Sequence, residues 1–128
     1  MRLLLDTHIA LWAIVDSPKL PPQARELILA PDIEVFVSAA SVWEISIKHL
    51  LARHTIPISG TKAKQYFQAA GYILLPVTAE HAIATETLPK IHGDPFDRIL
   101  ISQALTEPLR LLTHDETVAR YSDTILLV

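Results

Sequence analysis

Cysteine is missing from all 128 residues, which excludes disulfide frameworks, thiolate nucleophiles and cysteine-based zinc sites. This composition suits a cytoplasmic protein. Only three glycines occur, and neither G-x-x-x-x-G-K-S/T nor G-x-G-x-x-G is present, so no phosphate-binding loop is expected. The apolar stretch Ile9–Val15 is too short to cross a bilayer, and Asp6 interrupts any export signal, so we expect no contact with membranes.

Positive charge is also scarce, because the formal net charge is −3. The chain therefore does not coat nucleic acid by charge alone. No acid lies between Glu44 and Glu80, and this segment holds several basic or histidine side chains: Lys48, His49, Arg53, His54, Lys62 and Lys64. The segment is either an ordinary solvated surface or a nucleic-acid-binding surface, and the sequence leaves both interpretations open.

Hydrophobic residues make up 50% of the chain, which is enough for the core of a single domain over residues 1–128. Short apolar runs predict strands at Arg2–Leu5, Glu34–Val37, Tyr72–Leu75, Leu109–Leu112 and Thr124–Leu127. Helical patterns lie between them, at Thr7–Val15, Pro22–Ala30, Ala39–Leu51, Lys62–Ala70, Ala79–Thr87 and from Asp94-Pro95 to about Thr106. Strands that alternate with helices predict an α/β fold, a three-layer α/β/α sandwich around a parallel sheet of about five strands.

Four acids follow strands or begin helices where an open parallel sheet places its functional site, at the carboxyl ends of the strands. Asp6 follows the first predicted strand and Asp115 closely follows the fourth, while Glu44 and Asp97 lie near the starts of two helices. Carboxylates gathered at one sheet edge repel each other unless a cation joins them. Oxygen ligands without cysteine favour Mg²⁺ or Mn²⁺ over zinc.

Each of these acids also has a purely structural interpretation. Asp6 and Asp115 are preferred residues for capping the start of a helix. Glu44 completes a capping-box pattern that begins at Ser41, and it also lies one helical turn before Lys48, with which it can pair. Taken singly, each of these acids is explained without a metal.

An acid such as Asp97 in the first turn of a helix is favoured by the helix dipole, but Asp97 fits this structural interpretation less well than the other acids do. It is four and seven residues before Ile101 and Ala104, which places it on the helix stripe that faces the core. A carboxylate that is only solvated by water is expected on the solvent-facing side of the helix, not on this stripe. Asp94, by contrast, precedes Pro95 and suits a helix cap, although a role in the site stays open.

Four segments of the chain together resemble the PIN-domain family. They are Leu3-Leu4-Leu5-Asp6-Thr7-His8, Ser38 to Ile45 with Lys48, His92 to Ala104, and Leu111-Leu112-Thr113-His114-Asp115. The segment around Asp94-Pro95-Phe96-Asp97-Arg98 is the most specific of them. Their order and spacing fit the family along nearly the whole chain, and the resemblance is to its VapC type, the toxin half of bacterial and archaeal toxin–antitoxin pairs.

The resemblance implies a magnesium- or manganese-dependent endoribonuclease that cuts RNA, is silenced by a small cognate antitoxin and forms a homodimer. It also implies the sheet order 3-2-1-4-5. The residues that match the family's catalytic and metal-binding quartet are Asp6, Glu44, Asp97 and Asp115. The residues that match its supporting positions, or that lie where they could steady a phosphate, are Thr7, Thr113, Lys48 and Arg98.

Two other functions compete with this one. A phosphatase of the haloacid-dehalogenase type needs an aspartate two residues after the first, and that position holds His8. A catalytically silent PIN-like module that binds RNA or protein is disfavoured by the complete quartet, but the sequence does not exclude it. A nuclease assay with and without Mg²⁺ separates the silent module from the enzyme.

Apolar residues on the first two predicted helices indicate a partner surface. They are Ile9, Leu11, Trp12, Ile14, Val15, Leu20, Leu27, Ile28 and Leu29. About half of them are needed to cover the sheet, and the rest either bury each other or form an exposed patch. We expect Trp12 to be partly exposed in the isolated chain and covered by an antitoxin segment, whose arginine would compete with the metal for the acids.

Overall fold

The computed structural model describes residues 1–51, 56 and 58–128, so Arg53 and His54 of the acid-free segment lie outside the described residues. Its strands form one parallel sheet in the order β3-β2-β1-β4-β5, which confirms the predicted order. The strands are β1 (Arg2–Leu5), β2 (Glu34–Ser38), β3 (Ile73–Leu75), β4 (Arg110–Thr113) and β5 (Leu126–Leu127).

Helices connect the strands within the described residues. They are α1 (Thr7–Ile14), α2 (Pro22–Leu29), α3 (Ala39–Leu51), α4 (Gly60–Ala69), α5 (Ala79–Ala84), α6 (Pro95–Thr106) and α7 (Glu116–Ala119), with a 3-10 turn at Thr85–Thr87. The predicted helices are all present. The helix predicted at Ala79–Thr87 ends as α5 at Ala84 and continues as the 3-10 turn, and the other ends shift by at most two residues. Ser59, for example, accepts a hydrogen bond from the Lys62 amide, so α4 begins at Gly60 rather than at Lys62.

The central strand β1 divides the core into two layers. Leu3, Leu4 and Leu5 have no exposed surface. Because successive side chains point to opposite faces of a strand, Leu3 and Leu5 pack with residues of α1, α2, α3 and α4, whereas Leu4 packs with residues of α6 and α7. Helices therefore cover both faces of the sheet, which confirms the three-layer sandwich and explains why this strand is apolar throughout.

The carboxyl ends of β1 and β4 meet at the middle of the sheet. Leu5 is paired with Leu112, and the Asp6 amide donates to the Leu112 carbonyl over 3.0 Å. Asp6, which follows β1, and Thr113, the last residue of β4, are consequently neighbours although they are far apart in the chain. This register places the first and last predicted acids at one edge of the sheet.

The apolar residues of α1, α2 and the loop between them divide as predicted between core and surface. Ile9, Leu11 and Leu20 are buried, and Trp12, Ile14, Leu27 and Ile28 are half-buried against the same core. Val15 and Leu29 are 46% and 71% exposed. The expectation that Trp12 is partly exposed in the isolated chain is therefore confirmed. No helix in the described part of the chain is both long and apolar enough to cross a membrane.

Candidate active site

A pocket of about 650 Å³ opens at the carboxyl edge of the sheet. All four acids of the predicted quartet line it. The complete lining is Asp6, Thr7, His8, Trp12, Glu44, Lys48, His92, Asp94, Asp97, His114, Asp115 and Glu116. Four segments far apart in sequence thus deliver carboxylates to one concave surface, as the positions after strands and at helix starts predicted.

Asp6 is held on the floor of this pocket and is 7% exposed. Its Oδ1 accepts from the His8 amide over 2.9 Å, which caps α1, and its Oδ2 accepts from the Thr113 hydroxyl over 2.8 Å. Burial raises the pKa of Asp6, the negative charge of Glu44 raises it further, and the Thr113 hydrogen bond opposes the rise. The capping role and a metal-binding role are compatible, since each carboxylate oxygen has two lone pairs.

Thr113 connects the first and the last acid of the quartet. Its hydroxyl donates to Asp6 and accepts from the Asp115 amide over 3.1 Å. Asp115 caps α7 through Oδ1 alone, which accepts from the Thr117 and Val118 amides. Thr113 is fully buried and does not line the pocket, so it influences the pocket through the positions of these two acids.

Glu44 is a buried acid with one partnered and one unpartnered oxygen. Its side chain is 5% exposed, and its Oε2 accepts from Lys48 Nζ over 2.6 Å. Its Oε1 is buried without a hydrogen-bond partner among the described residues. A buried carboxylate oxygen without a partner is costly, and a cation is the partner that its charge favours. The helix α3 begins at Ala39, so Ser41 lies inside the helix and the capping-box interpretation of Ser41 and Glu44 was wrong.

Lys48 lines the pocket together with the acids and contacts Glu44. Burial lowers its pKa, but the hydrogen bond and charge of Glu44, with the charges of Asp94 and Asp97, raise the pKa above its ordinary value overall. Lys48 is therefore a positive charge at the acid pocket, and it neutralises one of the carboxylates there.

Asp97 faces the pocket from the first turn of α6. Its Oδ2 lies 2.7 Å from His92 Nε2, which donates to it. The pKa of Asp97 is raised to about 6, and burial is the largest cause. The contact with His92 lowers this pKa, and the negative charges of Asp6 and Asp94 raise it. Ile101 and Ala104, on the same helix stripe, are buried in the core, as their spacing from Asp97 predicted.

His92, Asp94 and Asp97 each offer a ligand atom within 4.8 Å of the other two. In the described part of the chain, no other group of three or more histidine or acidic side chains is that close together. The quartet therefore lines one pocket without converging on one point. Convergence requires movement of side chains that now contact Lys48 and His92, so the assignment of all four acids to a single ion stays a prediction.

Thr7 and Asp94 occupy the pocket wall in supporting positions. The Thr7 hydroxyl donates to Ser41 Oγ over 2.8 Å, which joins the start of α1 to α3 beneath the acids. Asp94 caps α6 by accepting from the Phe96 amide through Oδ1, as its place before Pro95 predicted. Its position beside His92 and Asp97 keeps the question of a role in the site open.

Arg98 is directed away from the acids, in contrast to the expectation that it steadies a phosphate. It does not line the acid pocket. Its guanidinium donates to the carbonyl oxygens of Thr85 and Pro89, each over 3.0 Å, and to that of His92 over 3.3 Å. The planar group thus holds the loop that carries His92, because only an arginine presents several donors in one plane.

An apolar groove of about 660 Å³ lies beside the acid pocket and was not predicted from the sequence. Its walls include Trp43, which is 62% exposed and packs edge-on against Phe96 with ring centroids 5.1 Å apart. Val77 and Ala82 also line it. The signal in the sequence was the spacing of Ala39 and Trp43, one turn apart on the side of α3 that does not carry the buried Ile45.

The sequence of residues 3–123 matches the family model of the PIN domain. No curated protein matches the chain. Three solved structures share its fold at 15–18% sequence identity, which is a likeness of fold alone.

The first of these is a crystal structure of VapBC2 from Rickettsia felis bound to a DNA fragment from their promoter. It has a TM-score of 0.72 at 17% identity and covers 100% of this chain and 98% of that chain. FitAcB from Neisseria gonorrhoeae has a TM-score of 0.63 at 18% identity, with 98% and 96% covered. VapBC-1 from nontypeable Haemophilus influenzae has a TM-score of 0.66 at 15% identity, with 100% and 97% covered.

Proposed function

The chain belongs to the PIN domain family, and from this premise we propose that it is a metal-dependent endoribonuclease, the VapC-type toxin of a toxin–antitoxin pair, acting in the cytoplasm. The observation that carries the proposal is the pocket in which Asp6, Glu44, Asp97 and Asp115 face one space, with a buried Glu44 oxygen that has no partner among the described residues.

The donor set of this pocket fits Mg²⁺ or Mn²⁺. Its acids offer hard oxygen ligands, which these ions prefer, and no thiolate competes. Asp6, Glu44, Asp97 and Asp115 would hold the ion, and His92 and Asp94 lie close enough to support it. When bound, such an ion supplies positive charge that activates water and offsets the charge developing on a phosphodiester.

The residues of the chain prepare the pocket for RNA hydrolysis in three ways. Thr113 fixes the orientation of Asp6 and Asp115 from below. Lys48 Nζ donates to the buried Glu44 side chain over 2.6 Å and lowers the net negative charge that an approaching phosphate meets. Arg98 holds the loop of His92, and His92 in turn orients Asp97 through its ring nitrogen. No side chain in this arrangement needs to act as a nucleophile.

The test is cleavage of single-stranded RNA by the purified chain with Mg²⁺, with Mn²⁺ and with a chelator. Asp6→Asn keeps the size of the side chain and the cap on α1, and we expect it to abolish cleavage. The matched control is Asp32→Asn, at an exposed acid outside the pocket, which we expect to cleave as the wild type does. RNA binding by the wild type without metal-dependent cleavage would instead support the silent module.

The antitoxin is proposed to cover the apolar surface of α1 and α2. This surface includes half-buried Trp12 and Leu27 together with exposed Val15 and Leu29, and it adjoins the acid pocket through Trp12. An arginine of the antitoxin would reach the carboxylates, since its fork matches their geometry. We expect Trp12→Ala combined with Leu27→Gln to weaken antitoxin binding by more than tenfold, and undiminished affinity would remove this surface from the proposal.

A second copy of the chain is the partner we propose for the apolar groove beside the acids. Trp43 lines the groove, and Ile83 follows the lining residue Ala82 on α5; each is 62% exposed. Large exposed apolar patches on a protein surface mark interfaces. Trp43→Glu should shift the chain from dimer to monomer in sedimentation, because a charge is costly in a closed apolar interface. The same change at exposed Tyr66 on α4 is the control.

A further inference from the structure

Three aromatic rings line one wall of the acid pocket and have no part in the proposed ion site. His8 and Trp12 lie on α1, and His114 lies between β4 and α7. The Trp12 ring centroid is 5.9 Å from that of His8, tilted by 52°, and 5.9 Å from that of His114, edge-on at 69°. We call these three residues the aromatic cluster.

The chain directs these rings to the pocket by local geometry. His8 is two residues after Asp6, and Trp12 is four residues after His8, one helical turn along the same face of α1. His114 directly precedes Asp115. Its Nδ1 donates to the Val128 carbonyl oxygen over 2.5 Å, because a carbonyl only accepts, and this bond anchors the ring at the rim.

Core packing accounts for only part of the aromatic cluster, because Trp12 packs against the core with part of its surface and the two histidines are not core residues. His8 and His114 are exposed and Trp12 is half-buried, so their rings are accessible from the pocket. Another aromatic pair of the core is formed by buried Phe67 and half-buried Tyr72. An aromatic group that remains accessible beside a site for a charged ligand is available to bind a flat uncharged part of that ligand.

The charge of the pocket defines what this ligand part can be. Six acids line the pocket against one lysine, so the phosphates on either side of the one held at the acids meet a negative surface. Uncharged contacts must therefore provide much of the affinity for a strand. Nucleobases offer such contacts, since every base has a π-face that stacks on aromatic side chains without regard to sequence.

We propose that the aromatic cluster is a stacking platform for a nucleobase of single-stranded RNA, the base adjoining the phosphodiester at the acids. The proposal rests on the proposed ribonuclease function. Trp12 provides the stacking surface, and His8 and His114 flank it next to Asp6 and Asp115. Base binding at the platform thereby sets which phosphodiester of the strand enters the pocket.

The first experiment measures binding without cleavage. Trp12 and Trp43 are the two tryptophans of the chain, so Trp43→Phe leaves Trp12 as the only one and retains a ring beside Phe96. In this background, with Asp97→Asn to prevent cleavage, a short single-stranded RNA should quench the fluorescence of Trp12. The same concentration of ribose 5-phosphate, which has no base, should not. No quenching by RNA would overturn the platform.

The second experiment maps the cleaved bond and then replaces one adjoining nucleotide by an abasic residue, on each side in turn. With the abasic residue on one of the two sides of the cleaved bond, wild-type kcat/KM should fall roughly tenfold. Trp12→Leu should lose a similar factor with intact RNA and little more with the abasic RNA, since both changes remove one contact. Trp12→Phe keeps a ring and should stay near the wild type, which controls for damage to the fold.

The outcomes separate the platform from the ribonuclease proposal. If the wild type does not cleave RNA but Trp12 fluorescence is quenched by it, the ribonuclease proposal fails and the platform stands as a base-binding site. If RNA is cleaved and the abasic loss is equally large in wild type and Trp12→Leu, the platform is refuted. A Trp12→Leu variant that loses only antitoxin binding would assign the cluster to the protein partner instead and would also refute it.

Discussion

Asp97→Asn should stabilise the metal-free chain at pH 8 and leave its stability almost unchanged at pH 4. Burial and the neighbouring charges of Asp6 and Asp94 raise the pKa of Asp97 to about 6. In the unfolded chain the pKa of an aspartate is about 3.9. Ionisation is thus harder in the folded state, and the fold loses stability as the pH rises from about 4 to about 6, with no further loss above that range.

The size of this effect follows from the rise in the pKa. A rise from 3.8 to about 6 corresponds to about 3 kcal/mol, at about 1.4 kcal/mol for each pH unit. The Asp97 side chain is 19% exposed, so screening by solvent lowers the expected gain at pH 8 to about 1–2 kcal/mol. Asparagine keeps the size of the side chain and an oxygen that accepts from His92, so the change removes little beyond the charge.

The assay is urea unfolding of the wild type and Asp97→Asn at several pH values in chelator, then in Mg²⁺. The wild type should gain stability from Mg²⁺, which binds only the folded form, and Asp97→Asn should gain much less. Asp32→Asn, at an exposed acid outside the pocket, is the control and should respond as the wild type does. A variant that is less stable than the wild type at pH 8 in chelator would refute the charge argument, and an equal Mg²⁺ gain would remove Asp97 from the ion site.

Three further changes test the supporting structure. Thr113→Val removes the hydroxyl that orients Asp6 and should lower kcat at least tenfold with the fold retained in circular dichroism; wild-type kcat would contradict the positioning role. Arg98→Lys keeps the charge but loses the planar set of donors, and should lower the free energy of unfolding by about 2 kcal/mol; an unchanged value in urea would mean that the loop does not depend on it. Gly71→Ala forces a side chain onto a residue with φ of 85° and should cost about 1 kcal/mol in thermal unfolding, whereas Gly93→Ala, where an added Cβ meets nothing within 4 Å, should be neutral or slightly stabilising; equal melting temperatures would refute the strain.

Local patterns were sufficient for much of the fold. The apolar run Leu3-Leu4-Leu5 and the caps at Asp6, Asp94 and Asp115 involve residues within a few positions of each other, and the structure places them as the sequence predicted. Helix ends were less predictable, as at Ser59, because any of several neighbouring polar residues can cap a helix. The sheet order came from the family resemblance, since a strand pattern by itself does not specify its neighbours.

The candidate site was also predictable from the sequence only in part. Residue type and position after a strand or at a helix start were enough to select Asp6, Glu44, Asp97 and Asp115, because the carboxyl edge of a parallel sheet is encoded in the order of its elements. The contact between His92 and Asp97 was missed, although the two are only five residues apart, because the loop between them adopts a conformation that periodicity does not describe.

The sequence by itself determined the strands, the helices and the acids that one sheet edge brings together, because spacing and capping act over two to four residues along the chain. Only the tertiary structure decided that Arg98 holds a loop instead of a phosphate, that Glu44 keeps one buried oxygen unpartnered among the described residues, and that an apolar groove opens beside Trp43. These properties depend on contacts between distant segments. Such contacts depend on how whole helices and strands pack, so residue spacing along the chain does not predict them.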